Sequence, residues 1–230
     1  MNTFVDAIEF LGDNLGLIWD KTLEHLALSG VAIGVAMVIA IPLGVWLGHL
    51  HRGSFLAINV SNIGRALPSL AVISIGLGVL GVGFLNVMVA LTILAAPVML
   101  TNAYVAVDRV SPDAVQAARA MGMRPLQVLL QVELPLALPL MFAGIRTGAV
   151  YVVATATLAA LAGGGGLGDI IVNQPTYGPA GVVAGSIAIA VLAFATEGFF
   201  ALLQYAVTPR GLRRRGEESL LEPVVETAAA

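Results

Sequence analysis

The 230 residues are 58% hydrophobic and only 11% charged, with a mean hydropathy of +0.94; this excludes an ordinary soluble domain, which has no means of burying so much apolar surface. Cysteine is absent, so disulfide frameworks, thiolate metal sites and thiol catalysis are excluded as well. A formal net charge of −3 offers nothing to a nucleic acid.

Residues 1–25 carry Asp6, Glu9, Asp13, Asp20 and Glu24 where a cleavable signal peptide would have a basic start and an apolar core, so the mature chain is expected to begin at or near Met1. Residues 3–24 are expected to form an amphipathic helix on the outer surface. Residues 26–48 make the first apolar span, long enough to cross about 30 Å of hydrocarbon, with Pro42 as a kink. The second, 55–80, is the most polar: Asn59, Asn62, Arg65, Pro68 and Ser69 interrupt it, which makes it the candidate wall of a solute pathway. The third span is 84–106, containing Pro97. From residue 108 to 135 the chain turns polar, with Asp108, Arg109, Asp113, Arg119, Arg124 and Glu133, so this segment lies in water or at the interface. The fourth span is 138–161 and the fifth 180–206. Between them, Gly163–Gly166, expected to be a flexible turn, and the Asn173–Pro179 stretch read as an external loop. Residues 208–230 are polar and are expected to be a disordered tail.

The basic residues orient the chain. Arg52 follows the first span, Arg109, Arg119 and Arg124 sit in the middle loop, and Arg210, Arg213, Arg214 and Arg215 in the tail. With five spans all three places share one side, which the positive-inside rule makes cytoplasmic, leaving the N-terminus external. An even number of spans would set the basic tail opposite the basic loop. The sequence thus predicts an all-α integral membrane protein with about five transmembrane helices.

The middle loop is built as a rigid body. Ser111-Pro112-Asp113 reads as a helix start, with Ser at the N-cap, Pro at the first helical position and Asp favourable to the dipole. Gly122 fits a C-terminal cap. A second short helix can begin at Pro125 and must be disturbed by Pro135 and Pro139. Within the loop stand Gln116-Ala117-Ala118, three residues, Gly122, nine residues, and Val132-Glu133-Leu134-Pro135. This resembles the signature of ABC importer permease subunits, E-A-A, three residues, G, nine residues, I-x-L-P, with Gln116 in place of Glu and Val132 in place of Ile. Gln116 removes a charge but keeps hydrogen-bonding capacity.

The likeness extends over roughly residues 22–206. Arg65-Ala66-Leu67-Pro68-Ser69-Leu70-Ala71, Glu133 to Pro139, Gly144-Ile145-Arg146-Thr147 and Gly164-Gly165-Gly166-Leu167-Gly168 are similar to the permeases that import osmoprotectants, the glycine betaine, carnitine and choline group. The resemblance implies a type I importer fold over residues 26–207 and a coupling helix that docks on a cytoplasmic ATPase through Asp113, Gln116, Ala117, Ala118, Gly122, Leu134 and Pro135. It also implies a second permease, a copy or a paralogue, and an extracytoplasmic substrate-binding protein. ATP and Mg would be held by the ATPase, because the Gly163–Gly166 run is followed by Leu167 and Gly168 and the chain has no P-loop.

Three ionisable residues fall within spans: Arg65, Arg146 and Glu197. Arg146 and Glu197, toward the cytoplasmic ends of theirs, are expected to snorkel or to pair with each other. His25, His49 and His51 flank the first span and read as interfacial; no metal site is expected. Tyr104, Tyr151 and Tyr177 are the aromatic residues nearest candidate cavities. A rival reading, a secondary transporter or channel working without ATP, would leave the capped loop helix without a purpose. A membrane enzyme would need a nucleophile with its base, or a metal cluster.

Overall fold

A computed structural model describes residues 3–51 and 54–209, with only the backbone of residues 54, 56–58 and 65. The regular elements among them are all helical: α1 (Thr3–Asp13), α2 (Leu15–His49), α3 (Ser54–Ala66), α4 (Ser69–Leu80), α5 (Phe84–Asp108), α6 (Pro112–Ala120), α7 (Pro125–Val128), a π-helical turn (Leu129–Glu133), α8 (Leu134–Thr155), a 3₁₀ segment (Ala156–Ala162), α9 (Gly168–Val172) and α10 (Gln174–Val207). Four helices are long and apolar enough to cross a membrane: Leu15–His49, Phe84–Asp108, Pro125–Ala162 and Gln174–Val207. Arg52 and residues 210–230, including Arg210, Arg213, Arg214 and Arg215 and the expected disordered tail, lie outside the described residues.

α5 is the centre of the bundle and packs against α2, α3, α4 and α8. Its partners approach on small residues. Along α2, Leu28, Ala32, Ala36, Ala40, Gly44 and Gly48 are all buried; their four-residue spacing places them on one face of the helix. That face meets α5 so closely that a Cβ on Gly44 would stand 2.6 Å from the Leu100 carbonyl oxygen, and one on Gly48 2.7 Å from that of Tyr104. In lipid there is no hydrophobic drive between helices, so close contact and dispersion must hold them together, and small residues permit both. Val38 and Trp46, on the other side of α2, are exposed, as suits a lipid-facing surface.

The expected surface helix over 3–24 is two elements. α1 ends at Asp13, and α2 begins at Leu15 and runs without a break past residue 26, because nothing from Leu15 to Pro42 forbids helix. At about 1.5 Å per residue α2 is ~50 Å long, so its first turns project beyond a hydrocarbon core of about 30 Å. α1 packs on α10, with Ala7 fully buried and the rings of Phe10 and Tyr177 edge to face at 6.3 Å.

The expected span over 55–80 is likewise divided, into α3 and α4, at Leu67-Pro68. Pro68 (φ −65°, ψ 122°) is the extended residue preceding α4; it has no N–H to continue a helix and disfavours helical geometry in Leu67. α4 alone, about 18 Å long, is too short to cross. Loop contacts tie the outer ends of α3 and α4 to different parts of the bundle. His51, just before α3, bonds to Asp108 at the end of α5, whereas Gly83, just after α4, donates its N–H to Ala162 O at 2.8 Å.

Pro135 does not break its helix. The π-helical turn at Leu129–Glu133 precedes it, and the wider turn moves aside the carbonyls that a proline ring would strike. Pro139 lies inside α8, and its carbonyl accepts a bond from Gln204 Nε2 of α10 at 3.0 Å. The Gly-rich turn, expected to be flexible, is pinned. Gly166 N–H donates to Glu24 Oε2 at 3.0 Å, and Lys21 Nζ donates to both Glu24 Oε2 and Asp169 Oδ2 at 2.8 Å. α10 is interrupted near its start at Gly178 (φ 66°, ψ 178°), so its long straight part begins close to the expected residue 180.

Candidate coupling loop and pathway

α6 is capped as a rigid unit at its C-terminal end. Gly122 is left-handed (φ 82°), its N–H donates to Arg119 O at 2.9 Å and that of Met123 to Ala118 O at 3.2 Å; this is the paired bonding of a Schellman motif. At the other end Pro112 occupies the first turn, but the Ser111 side chain makes no capping hydrogen bond. Asp113 supplies the charge that suits the helix start.

The two alanines of the motif have different roles. Ala118 and Val115 are buried in a small core with Ala103, Val107, Val128, Leu129, Ala137 and Met141; α6 packs on α7 and the π-helical turn, and through this core it is joined to the ends of α5 and α8. Asp113, Gln116, Ala117 and Gly122 are exposed, and Leu134 and Pro135 lie half-buried at the start of α8. Two exposed apolar side chains extend this face, Met121 at 76% and Leu126 at 63%. Neither belongs to the motif, although an apolar residue beside a capping glycine in a polar loop is itself a signal of contact.

Histidine binds the loop to α2. His49 Nδ1 donates to Glu133 Oε2 at 2.6 Å and His51 Nδ1 to Asp108 Oδ1 at 3.0 Å. His25 is fully buried with Nε2 donating to Val153 O at 2.9 Å; it is a core residue and not an interfacial one, because α2 begins earlier than expected and carries it inside.

The candidate pathway residues do not converge on one cavity. Asn59 Nδ2 donates to Phe55 O at 2.6 Å within α3, Asn62 and Pro68 are exposed, Ser69 is half-buried, and the Arg65 side chain lies outside the described residues. A cavity of about 300 Å³ between α3, α5 and α8 is lined by Gly64, Leu94, Val98, Thr147 and Tyr151. Arg146 Nε and Glu197 Oε1 are 3.1 Å apart, joining α8 to α10. Arg146 stands about three turns from the start of α8 and Glu197 about three turns from the end of α10.

At the opposite end of the bundle, the clamp of Lys21, Glu24 and Asp169 gives a direct prediction. Glu24→Ala removes a charge-assisted bond from the Gly166 amide, and such bonds contribute about 1.5–3 kcal/mol. Hydrogen exchange of the 163–168 segment is expected to rise about tenfold or more; unchanged exchange would show that the turn holds itself.

The family profile described as "binding-protein-dependent transport system inner membrane component" matches residues 40–214. The choline transport system permease protein OpuBB of Bacillus subtilis (strain 168) is 36% identical over 213 residues, 92% of this chain and 98% of that protein. The glycine betaine/carnitine/choline transport system permease protein OpuCB of the same organism is 36% identical over 91% of this chain and 97% of its own length. The carnitine transport permease protein OpuCB of Listeria monocytogenes is 35% identical over 93% and 99%. Among solved structures, an inward-facing MetNI methionine ABC transporter has a chain that superposes with a TM-score of 0.74 at 24% identity, over 85% of this chain and 98% of that one; this likeness speaks for the fold alone. Helix order, capped loop and sequence therefore agree, and the chain belongs to the family of binding-protein-dependent transport system inner membrane components.

Proposed function

We propose that this chain is the permease of an importer for small osmoprotectants of the choline, carnitine and glycine betaine type, driven by ATP hydrolysis on separate cytoplasmic subunits. The observation that carries the coupling is α6: a short helix, capped by a Schellman turn and packed on α7 and the π-helical turn, that presents Gln116, Ala117 and Met121 outward, with Leu126 of α7 also exposed. A rigid exposed helix with apolar tips suits docking to another protein. The substrate class rests on the three relatives, whose names specify choline, carnitine or glycine betaine.

In this reading the α6 end faces the cytoplasm of a bacterial cell and the N-terminus is external, as the positions of Arg109, Arg119 and Arg124 suggest. Two permeases, copies or paralogues, enclose the pathway, and an extracytoplasmic binding protein delivers the solute at the Lys21–Asp169 end. ATP and Mg are bound by the ATPase. Closure of the ATPases pushes α6, and the helices seated on it reorient so that the pathway opens alternately to the two sides.

Vesicles containing this chain with its ATPase and binding protein are expected to take up labelled choline, carnitine or glycine betaine only when ATP and the binding protein are present. Uptake indifferent to ATP would assign the chain to a secondary transporter or channel. ATP-dependent uptake of some other solute would overturn the substrate class and keep the importer.

A further inference from the structure

Both ends of the coupling loop are held by the same turn. Asp108 is the last residue of α5, where the chain enters the loop, and Glu133 is the last residue of the π-helical turn, where it leaves. Their carboxylates accept from His51 and His49, which lie 57 and 84 residues away in sequence and only two positions apart at the end of α2. We infer that His49 and His51 are positioning residues for ATP coupling, a clasp by which α2 grips both stems of the loop so that a push on α6 moves α2, α5 and α8 together. The inference rests on the reading of α6 as the coupling helix.

Three observations separate this clasp from an incidental surface pair. First, the Glu133 carboxylate is 1% exposed, and its Oε1 has no hydrogen-bond partner among the described residues. A carboxylate buried on a single partner is a poor means of stabilising a fold, because desolvation offsets most of the attraction. Second, His51 has φ 47°, a left-handed conformation that L side chains with a Cβ rarely adopt. The chain accepts that strain at the residue that reaches Asp108. Third, the grip continues along the helix, since Gly44 and Gly48 hold the preceding two turns of α2 in close contact with α5. α2 therefore has no slack between the clasp and the bundle, and a displacement of the loop stems cannot be absorbed there.

The test compares three variants with the natural chain in the reconstituted complex, reading solute moved per ATP hydrolysed together with thermal stability. His49→Leu leaves Glu133 buried without its partner; stability falls, and the transport ratio is expected to drop about fivefold or more. His49→Leu with Glu133→Leu removes both polar groups, so stability returns toward that of the natural chain while the ratio stays low. His49→Gln can still donate to Glu133 and is expected to hold the ratio within about twofold of the natural chain. A ratio that recovers together with stability in the double variant would make the pair a merely structural contact and overturn the inference. If the natural chain itself shows no ATP-dependent uptake, the function reading fails first, an outcome distinct from an unchanged ratio in an active complex.

Discussion

Gly48→Leu is expected to prevent assembly of a functional permease. A Cβ at this position would stand 2.7 Å from Tyr104 O and 2.9 Å from Val107 Cβ, and the first of these is backbone, which cannot rotate out of the way. Overpacking costs about 1–3 kcal/mol where side chains can yield. Here α2 must separate from α5 along the whole face from Leu28 to Gly48, so a loss of ~3 kcal/mol or more is expected, a shift of over a hundredfold in the folding equilibrium. Gly34 supplies the control on the same helix, with nothing within 4 Å of a Cβ there; leucine at that position gains about 1 kcal/mol of helix propensity and opens onto a cavity shared with Met37, Leu192 and Phe199. Thermal stability of the two purified variants in one detergent decides the matter. A Gly48→Leu protein as stable as Gly34→Leu would mean that the small-residue face does not hold the bundle.

Gly122→Val is expected to cut ATP-driven uptake sharply while leaving the bundle folded. At φ 82° a β-branched side chain pays the left-handed penalty of about 1–2 kcal/mol, and the two closing bonds from Gly122 and Met123 to Arg119 and Ala118 are lost with it. The α6 core is small, so its last turn has little else to hold it. Uptake is expected to fall about tenfold or more, and trypsin cleavage after Arg119, which is exposed, is expected to accelerate. Gly122→Asn is the informative companion, since Asn tolerates this conformation and is expected to retain most of the uptake. Equal activity of the valine and asparagine variants would separate coupling from the rigidity of this turn.

The two predictions bear on different links of one chain of causes. Gly48 concerns whether α2 and α5 form a single body; Gly122 concerns whether α6 can transmit a push into that body. The His49–Glu133 and His51–Asp108 contacts lie between them. The pathway is less fully marked. Thr147 and Tyr151 line a cavity of about 300 Å³ with Gly64, and both Thr147 and Asn59 are hydrogen-bonded back to their own helices.

The sequence alone determined whatever depends on local composition and on residue geometry at one position. Apolar length and the absence of charge located the long helices, because hydrocarbon requires about 20 such residues whatever their neighbours. Pro112, Gly122 and the spacing between them located a capped helix in the middle loop, because backbone limits act within a few residues. Pro68 also marked its break, since its effect on Leu67 is local. Only the tertiary structure decided which residues meet. It brought His49 to Glu133, Gly48 to Tyr104 and Glu24 to Gly166, contacts across many tens of residues that no hydrophobic period encodes. It turned the Gly run from an expected flexible turn into a pinned one and moved His25 from the interface to the core. The early start of α2 carried His25 inside, polar bonds from Glu24 pinned the Gly run, and the approach of α2 to α5 rests on a distance set jointly by two helix faces, which cannot be read from either face alone.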